Sequence, residues 1–263
     1  MQSPEKRALP HPPIGSQVQW LALRKKLLAH EKALTKQRDR VCAERRRLPM
    51  VKIEKPYVFE TPDGKKTLGE LFDGRSQCIV YHFMFGPGPK WKEGCPSCSF
   101  LADHIDGVNL HLPHHDVTLL VVSRAPLGKI KPFQKRMGWR FEWVSSFKND
   151  FNFDFHVSFT KREIADGKIY YNYEMTKGGD EQPGISVFYK DESGDVFHTY
   201  SSYGRGGDLL IGAYNYLDLA PLGRHEAKGH GMDWVRHHDR YPVSSRKPML
   251  ATFCLAALNG IEA

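Results

Sequence analysis

The sequence has few cysteines and no long apolar run. Its 263 residues include 5 cysteines, which are too few and too scattered for the disulfide framework of a small secreted scaffold. No stretch approaches the roughly 18 uninterrupted apolar residues of a membrane span. The beginning, MQSPEKRALPHPPIG, lacks the apolar core of a secretory signal. The sequence therefore predicts a cytoplasmic protein with no membrane association.

Excess positive charge is scarce outside one segment. The formal net charge is +8, and nearly all of it comes from the Lys and Arg residues between positions 17 and 48. A domain that binds nucleic acid carries its positive excess on its own surface. We therefore expect no nucleic-acid binding by the main domain.

The basic segment itself predicts a long helix. Residues 17–48 contain no Gly or Pro and are rich in helix formers. Apolar side chains recur there every seven residues at Trp20, Leu27, Leu34, Val41 and Leu48. The positions three further on are mostly polar, so only half of a coiled-coil pattern is present. We expect the helix to lie against the body or against a second copy of the chain in a homodimer, with binding to an acidic partner as the alternative.

After Pro49 the pattern changes to alternating strand and helix signals. Apolar runs at 77–85 and 117–123 predict strands that are buried on both faces of a parallel sheet. A helix is predicted between them, over residues 98–112. One face of that helix consists of Leu101, Ile105, Val108 and Leu112. Strand, helix and strand in this order predict a βαβ unit.

Further signals extend this unit into an α/β domain. They predict a helix over 127–138, a short strand over 141–145, a hairpin over 184–203 and a closing helix over 207–219. Residues 151–157, FNFDFHV, fit either a strand or an aromatic loop.

We therefore predict three segments. A basic helical extension occupies 1–48, an α/β domain with a central sheet and flanking helices occupies 49–220, and an irregular tail occupies 221–263. Histidines recur in the tail at His225, His230, His237 and His238 without a fixed metal-ligand spacing, which favours a mobile polar segment.

Cys95 and Cys98 are the one pair of cysteines that lie close together in the sequence, and they stand where a helix is predicted to begin. The unpaired N–H groups and the dipole at a helix N-terminus stabilise an anion. Such an environment lowers a thiol pKa from about 8.5 into a range of roughly 3.5–7.5. Cys98, one turn further, is placed to attack a mixed disulfide formed at Cys95. A C-x-x-C pair beside a βαβ pattern predicts a redox pair that acts on a protein or small-molecule disulfide or thiol and needs no cofactor.

A zinc site is the alternative for the same cysteines. Cys95, Cys98, His111 and His115 fit the spacing C-x2-C-x12-H-x3-H. Pro113 lies between the two histidines and disfavours a regular helix that would hold both on one face. A non-catalytic, zinc-stabilised binding module therefore stands as an alternative to the redox pair.

Three blocks of the sequence resemble one protein family. The runs FDGRSQCIVYHFMFGPGPKWKEGCPSCSF, PGISVFYKDESGDVFHTYSSYGRG and YLDLAPLGR are similar to the family called domain of unknown function 899, which belongs to the thioredoxin-like superfamily. The resemblance covers about residues 10–225. It implies a thioredoxin-like sheet with flanking helices and the chemistry of a dithiol-disulfide oxidoreductase.

The resemblance also implies a substrate groove. Pro96-Ser97 looks like the interior of the Cys-Pro-x-Cys pair of glutaredoxins, and Trp91 lies four residues before Cys95. Pro183 matches the position of the superfamily's cis-proline, whose backbone receives the substrate, with an ordinary turn proline as the alternative. We expect Trp91, Pro96 and Pro183 to frame the groove.

A thiol peroxidase of the peroxiredoxin type is the enzymatic alternative. The long loop before Cys95 resembles that branch of the superfamily, but Gly88 and Lys92 stand where its P-x-x-x-T-x-x-C pattern has proline and threonine. Arg124 at the end of the second strand and His198 in the hairpin are candidate supporting residues. Their alternatives are a surface charge and an ordinary strand residue.

Overall fold

The computed structural model describes residues 12–224, 226 and 231–242. Its helices span Gln17–Arg45 (α1), Pro96–Ala102 (α2), Ile105–Val108 (α3), Leu127–Arg136 (α4), Phe151–Asp154 (α5), Lys161–Ala165 (α6) and Gly212–Leu219 (α7). Its strands span Val51–Lys52 (β1), Val58–Thr61 (β2), Gly64–Thr67 (β3), Gln77–His82 (β4), Val117–Ser123 (β5), Trp143–Ser145 (β6), Ile169–Tyr171 (β7), Glu174–Thr176 (β8), Gly184–Lys190 (β9) and Val196–Tyr203 (β10). Short 3₁₀ turns occupy Glu70–Phe72, Leu112–His115, Gly204–Leu210 and His238–Arg240.

The central sheet has the strand order β1-β10-β9-β4-β5-β6-β2-β3. Strands β4, β5 and β6 run parallel, whereas β9 is antiparallel to β4 and β10 is antiparallel to β9. The order β10-β9-β4-β5, with helices after β4, β5 and β10, is the arrangement of the thioredoxin-like fold. The predicted α/β class, the βαβ unit and the hairpin are therefore confirmed, and β7 and β8 form a separate two-stranded hairpin.

Alternation along the buried strands divides the apolar residues between two cores. In β4, Val80 packs into the core on one sheet face and Tyr81 into the core on the other. Helices α2, α4 and α7 cover the Tyr81 face, and α5 covers the Val80 face. The cysteine pair lies on the Tyr81 face.

The helix predicted over 98–112 is broken. Helix α2 ends at Ala102, α3 lasts one turn, and Pro113 lies in a 3₁₀ turn. Two carboxylates at and just after the break make tertiary contacts. Asp103 accepts a hydrogen bond from the Trp139 indole at 2.8 Å, and Asp106 accepts one from the Phe141 N–H at 2.8 Å.

Two further elements differ from expectation. Residues 151–157 begin with helix α5 instead of forming a strand or loop, because the Asn149 side chain accepts a hydrogen bond from the Phe151 N–H at 3.0 Å. Phe151 and Phe155 are four residues apart and both buried, a spacing that fits a helix as well as a strand. The closing helix begins at Gly212 and follows a 3₁₀ turn.

The described part of the tail packs onto the domain. Residues 231–242 have little regular structure, as expected, but Val235 and His237 are buried. This part is thus not the mobile polar segment that the composition suggested, because its apolar and aromatic side chains join the core around the cysteines. His225 and His230 lie outside the described residues.

Helix α1 is exposed along its length. It begins with a capping box formed by Ser16 and Gln19, and none of its residues is buried. Near its end, the Arg45 guanidinium lies 4.6 Å from the centre of the Tyr200 ring, which fixes this end to β10.

A membrane span would need a long apolar helix. Within the part of the chain that the structure describes, no helix meets both requirements.

Candidate redox site

The backbone of Cys95 is fixed at the start of α2. Cys95 is the N-cap residue in an extended conformation, and Pro96 occupies the first helical turn, where its missing N–H costs nothing. The Cys95 N–H donates to the Met84 carbonyl at 3.1 Å. The Ser99 N–H and hydroxyl both donate to the Cys95 carbonyl at 2.9 Å. These bonds hold the loop that follows β4 against the first turn of the helix.

Gly94 brings the chain close to the aromatic core immediately before Cys95. A Cβ atom at this position would lie 2.6 Å from the rings of both Phe83 and Phe133. Only glycine accommodates so close an approach without displacing them. The Gly94 carbonyl lies 2.8 Å from Nε2 of His237, so the tail closes over this turn.

The two thiols have opposite environments. The Cys95 thiol is partly exposed, and a hydrogen bond from the Cys98 thiol lowers the pKa of Cys95 to about 6. Burial opposes this lowering, and the N–H groups of Cys98 and Ser97 add to it. Burial raises the pKa of Cys98, which is 1% exposed, well above its ordinary value. At neutral pH the pair therefore holds a Cys95 thiolate beside a Cys98 thiol.

Tyr81 is a neighbour of Cys98 that the sequence did not indicate. It lies near the end of β4 and is buried, and its hydroxyl is hydrogen-bonded to the Cys98 sulfur. Burial raises the pKa of Tyr81 well above its ordinary value, so the phenol stays a donor. The Met84 N–H also lies 3.4 Å from the Cys98 sulfur. One signal in the sequence could have indicated Tyr81. The alternation of side chains along β4 places Tyr81 and Phe83 on the same face of the sheet as the cysteines.

Pro183 and Cys98 line the same cavity. The cavity encloses about 60 Å³, and its walls include Ser97, Cys98, Pro183 and Gly204. The peptide bond before Pro183 is trans, as are all peptide bonds of the described residues, so Pro183 lacks the cis geometry of the superfamily's proline. A trans bond is the cheaper form for proline. Here the Pro183 carbonyl is held by a hydrogen bond from the Tyr171 hydroxyl at 2.7 Å.

Trp91 and Pro96 lie outside the walls of that cavity. The Trp91 indole donates to Asp180 at 3.1 Å and packs over Gly86, where a Cβ atom would lie 2.5 Å from the indole nitrogen. Lys129 holds the same loop by donating to the Trp91 carbonyl at 3.2 Å. Pro96 is exposed on the first turn of α2.

Arg124 is partly buried and forms an ion pair with the buried Glu181. Its guanidinium lies 3.2 Å from the Glu181 carboxylate and 4.2 Å from the centre of the Phe153 ring. Glu181 also accepts a hydrogen bond from Ser158 at 2.6 Å, and burial raises the pKa of Glu181 to about 7. Arg124 is therefore not a free surface charge. Its contacts here are with Glu181 and Phe153 and not with the cysteines. It fixes the segment that leads to Pro183.

His198 lies on the other face of the sheet. Its ring packs against Phe155 and Phe188 in the core opposite the cysteines. Its Nε2 is 2.8 Å from the Ser201 hydroxyl, which connects through Ser186 to the buried ring of His82. The structure thus does not bring His198 to the cysteine pair, because its position in β10 directs it to the second core.

The structure does not assemble the alternative zinc site. His111 precedes and His115 ends the 3₁₀ turn Leu112–His115, so Pro113 prevents the helix that a zinc finger needs. Among the residues that the structure describes, no group of three or more His, Cys, Asp or Glu side chains is arranged to hold a metal ion.

The sheet order and the cysteine pair at the start of α2 define a thioredoxin-like protein with a Cys-Pro-Ser-Cys sequence. A family model described as "Bacterial protein of unknown function (DUF899)" matches residues 9–241. The chain therefore belongs to this family, as the sequence blocks indicated. No curated protein matches the chain.

Solved structures that resemble the chain include three peroxiredoxins. Peroxidoxin BcpB from Mycobacterium tuberculosis is 11% identical, with a TM-score of 0.43 over 65% of this chain and 96% of that chain. Peroxiredoxin Q from Xanthomonas campestris is 11% identical, with a TM-score of 0.41 over 64% and 98%. The mitochondrial 2-Cys peroxiredoxin from Plasmodium falciparum is 13% identical, with a TM-score of 0.37 over 65% and 95%.

Proposed function

We propose that this protein is a dithiol-disulfide oxidoreductase in which Cys95 is the nucleophile and Cys98 the resolving thiol. The observation that carries this proposal is the contrast between a partly exposed Cys95 thiol, with a pKa lowered to about 6, and a buried Cys98 thiol, with a raised pKa. The thiolate is the nucleophile in disulfide exchange. Cys95 therefore reacts first and Cys98 second.

The reaction consists of two exchanges. The Cys95 thiolate attacks one sulfur of a substrate disulfide, forms a mixed disulfide and releases the other sulfur as a thiolate that takes a proton from water. Cys98 then loses its proton and attacks the Cys95 sulfur, which releases the second substrate thiol. Two electrons pass to the substrate, the enzyme ends as a Cys95–Cys98 disulfide, and an external dithiol reduces it again.

Tyr81 and the Met84 N–H support the second exchange. Both lie at the Cys98 sulfur, and both are donors. Hydrogen bonds to a charged partner are stronger than those to a neutral one, so these donors favour the Cys98 thiolate over the thiol. Tyr81 is thus a positioning and charge-stabilising residue for the resolving step.

Pro183 forms a wall of the cavity at Cys98, and we propose that it receives the substrate. Trp91 and Pro96 are proposed to form the surface beside this cavity. Lys129 and Gly86 keep the Trp91 loop in place. The substrate is a protein or small-molecule disulfide. A dithiol reductase matches the reducing cytoplasm, which is the proposed location.

A substrate trap tests the proposal. With Cys98→Ser, the first exchange proceeds and the second stops, so the mixed disulfide at Cys95 accumulates when bis(2-hydroxyethyl) disulfide is added. The control is Cys42→Ser, which removes another partly exposed thiol on α1 and should leave turnover with dithiothreitol intact. Disulfide turnover by Cys98→Ser would contradict the resolving role of Cys98, because dithiothreitol alone would then displace the mixed disulfide. Preferential consumption of hydrogen peroxide by Cys95 alone would instead indicate a thiol peroxidase.

A further inference from the structure

Two side chains in the middle of the sheet are incompletely covered. Ile79 of β4 and Leu119 of β5 are direct neighbours in the parallel pair, yet both are partly exposed. Side chains on central parallel strands are normally covered by helices. Here α3 ends after one turn, and Val108 at its end is itself 45% exposed. The break in the helix after the cysteines therefore opens an apolar gap over the sheet.

This gap is a cavity of about 190 Å³. Eight of its ten lining side chains are aliphatic, and the other two are Tyr81 and His104. The four residues predicted on one helix face, Leu101, Ile105, Val108 and Leu112, all line it. Apolar cavities of roughly 150 Å³ stay dry and bind benzene. The cavity therefore suits an alkyl or aryl group of about six carbon atoms.

The apolar cavity adjoins the cysteine cavity. Tyr81, Leu101 and Ile185 belong to the walls of both, and the Tyr81 hydroxyl is hydrogen-bonded to Cys98. His104 accepts a hydrogen bond from the Ala213 N–H at 3.3 Å through Nε2. The described lining includes no Asp, Glu, Lys or Arg, so a charged group would lose its hydration there without a partner.

We infer that this cavity binds the apolar arm of the substrate disulfide. The inference rests on the proposed function and specifies its substrate class: disulfides that carry an unbranched alkyl chain or an aryl group beside the reacting sulfur. Cys95 attacks the arm-bearing sulfur, and the small half leaves as a thiolate that takes a proton from water. The arm then leaves as an alkyl or aryl thiol when Cys98 closes the intramolecular disulfide.

A chain-length series tests the substrate assignment. Methyl n-alkyl disulfides from propyl to hexyl are reduced with dithiothreitol as the terminal reductant. Each methylene that enters the cavity is expected to raise kcat/KM about fourfold, by the usual gain for burying such a group. Val108→Phe, which fills the mouth of the cavity, should abolish this gain. The control Leu110→Phe adds the same ring at a side chain that is 66% exposed and does not line the cavity, and it should keep the gain.

Benzene binding tests the cavity without thiol chemistry. Benzene should raise the Tm of the Cys95→Ser protein and of its Leu110→Phe form, but not of its Val108→Phe form. Equal rates for all chain lengths would overturn the inference and leave the proposed function intact. Failure to reduce any disulfide while benzene binds would overturn the proposed function, and the assignment of the cavity to a substrate arm with it.

Discussion

At the scale of single residues, the site consists of two cysteines whose pKa values are shifted in opposite directions by their surroundings. The Cys98 thiol is the largest cause of the lowered Cys95 pKa, ahead of the two N–H groups at the start of α2. The sequence alone predicted the lowering and its helix contribution. It did not reveal the roles of Tyr81, Glu181 and His237. These roles depend on which side chains the other strands and the tail bring close.

The pH dependence of alkylation checks the origin of the Cys95 reactivity. Only the thiolate reacts with iodoacetamide, so the rate at Cys95 should rise with pH through a midpoint of about 6. Cys98→Ala removes the largest cause of the lowering, and the midpoint should move upward, toward the ordinary thiol value. An unchanged midpoint would show that the helix N–H groups alone set the pKa.

Removal of the Tyr81 hydroxyl checks its assignment to the resolving step. Tyr81→Phe keeps the ring in the core and removes a donor to Cys98. Because a hydrogen bond to a charged group contributes about 1.5–3 kcal/mol, the release of the second thiol should slow about tenfold or more and its pH profile should move upward. Cys95 alkylation should change little. Rapid-quench analysis separates the two steps, and Tyr216→Phe, at a side chain that is 78% exposed, is the control.

At the scale of elements, the helix after the cysteines shows where sequence patterns stop being sufficient. The spacing of Leu101, Ile105, Val108 and Leu112 correctly predicted that they share one side facing the sheet. It did not predict the break at residues 103–104, where Asp103 and Asp106 bond to the segment 139–141, which follows α4. Periodicity reports the burial of side chains and carries no signal for such long-range hydrogen bonds.

The turn before α2 carries a prediction about stability. Gly94→Ala would place a methyl group 2.6 Å from two aromatic rings, and overpacking of this kind costs about 1–3 kcal/mol. Gly128→Ala, in α4 with no atom within 4 Å of the added Cβ, should leave stability unchanged or raise it by up to ~1 kcal/mol. Urea unfolding of both variants measures the difference. Equal midpoints would contradict the close approach at Gly94.

At the scale of the whole molecule, α1 is exposed along its length, although Arg45 near its end packs on Tyr200 of β10. Its apolar side chains Trp20, Leu27 and Leu34 are 56%, 51% and 70% exposed, and the stability of a protein helix comes mostly from packing. We propose that α1 pairs with α1 of a second copy. Light scattering should then give twice the chain mass of 30.1 kDa. Leu27→Glu with Leu34→Glu should give a monomer, whereas Lys36→Glu on the opposite face should not.

The proposed mechanism requires that Cys95 and Cys98 form a reversible disulfide. The most direct measurement is the intact mass and peptide map of the protein equilibrated in glutathione buffers of increasing oxidising strength. We predict a single two-electron transition in which the mass falls by about 2 Da and the cysteines of residues 95 and 98 become linked. A stable glutathione adduct at Cys95 that Cys98 does not displace, or no transition at all, would contradict the dithiol mechanism.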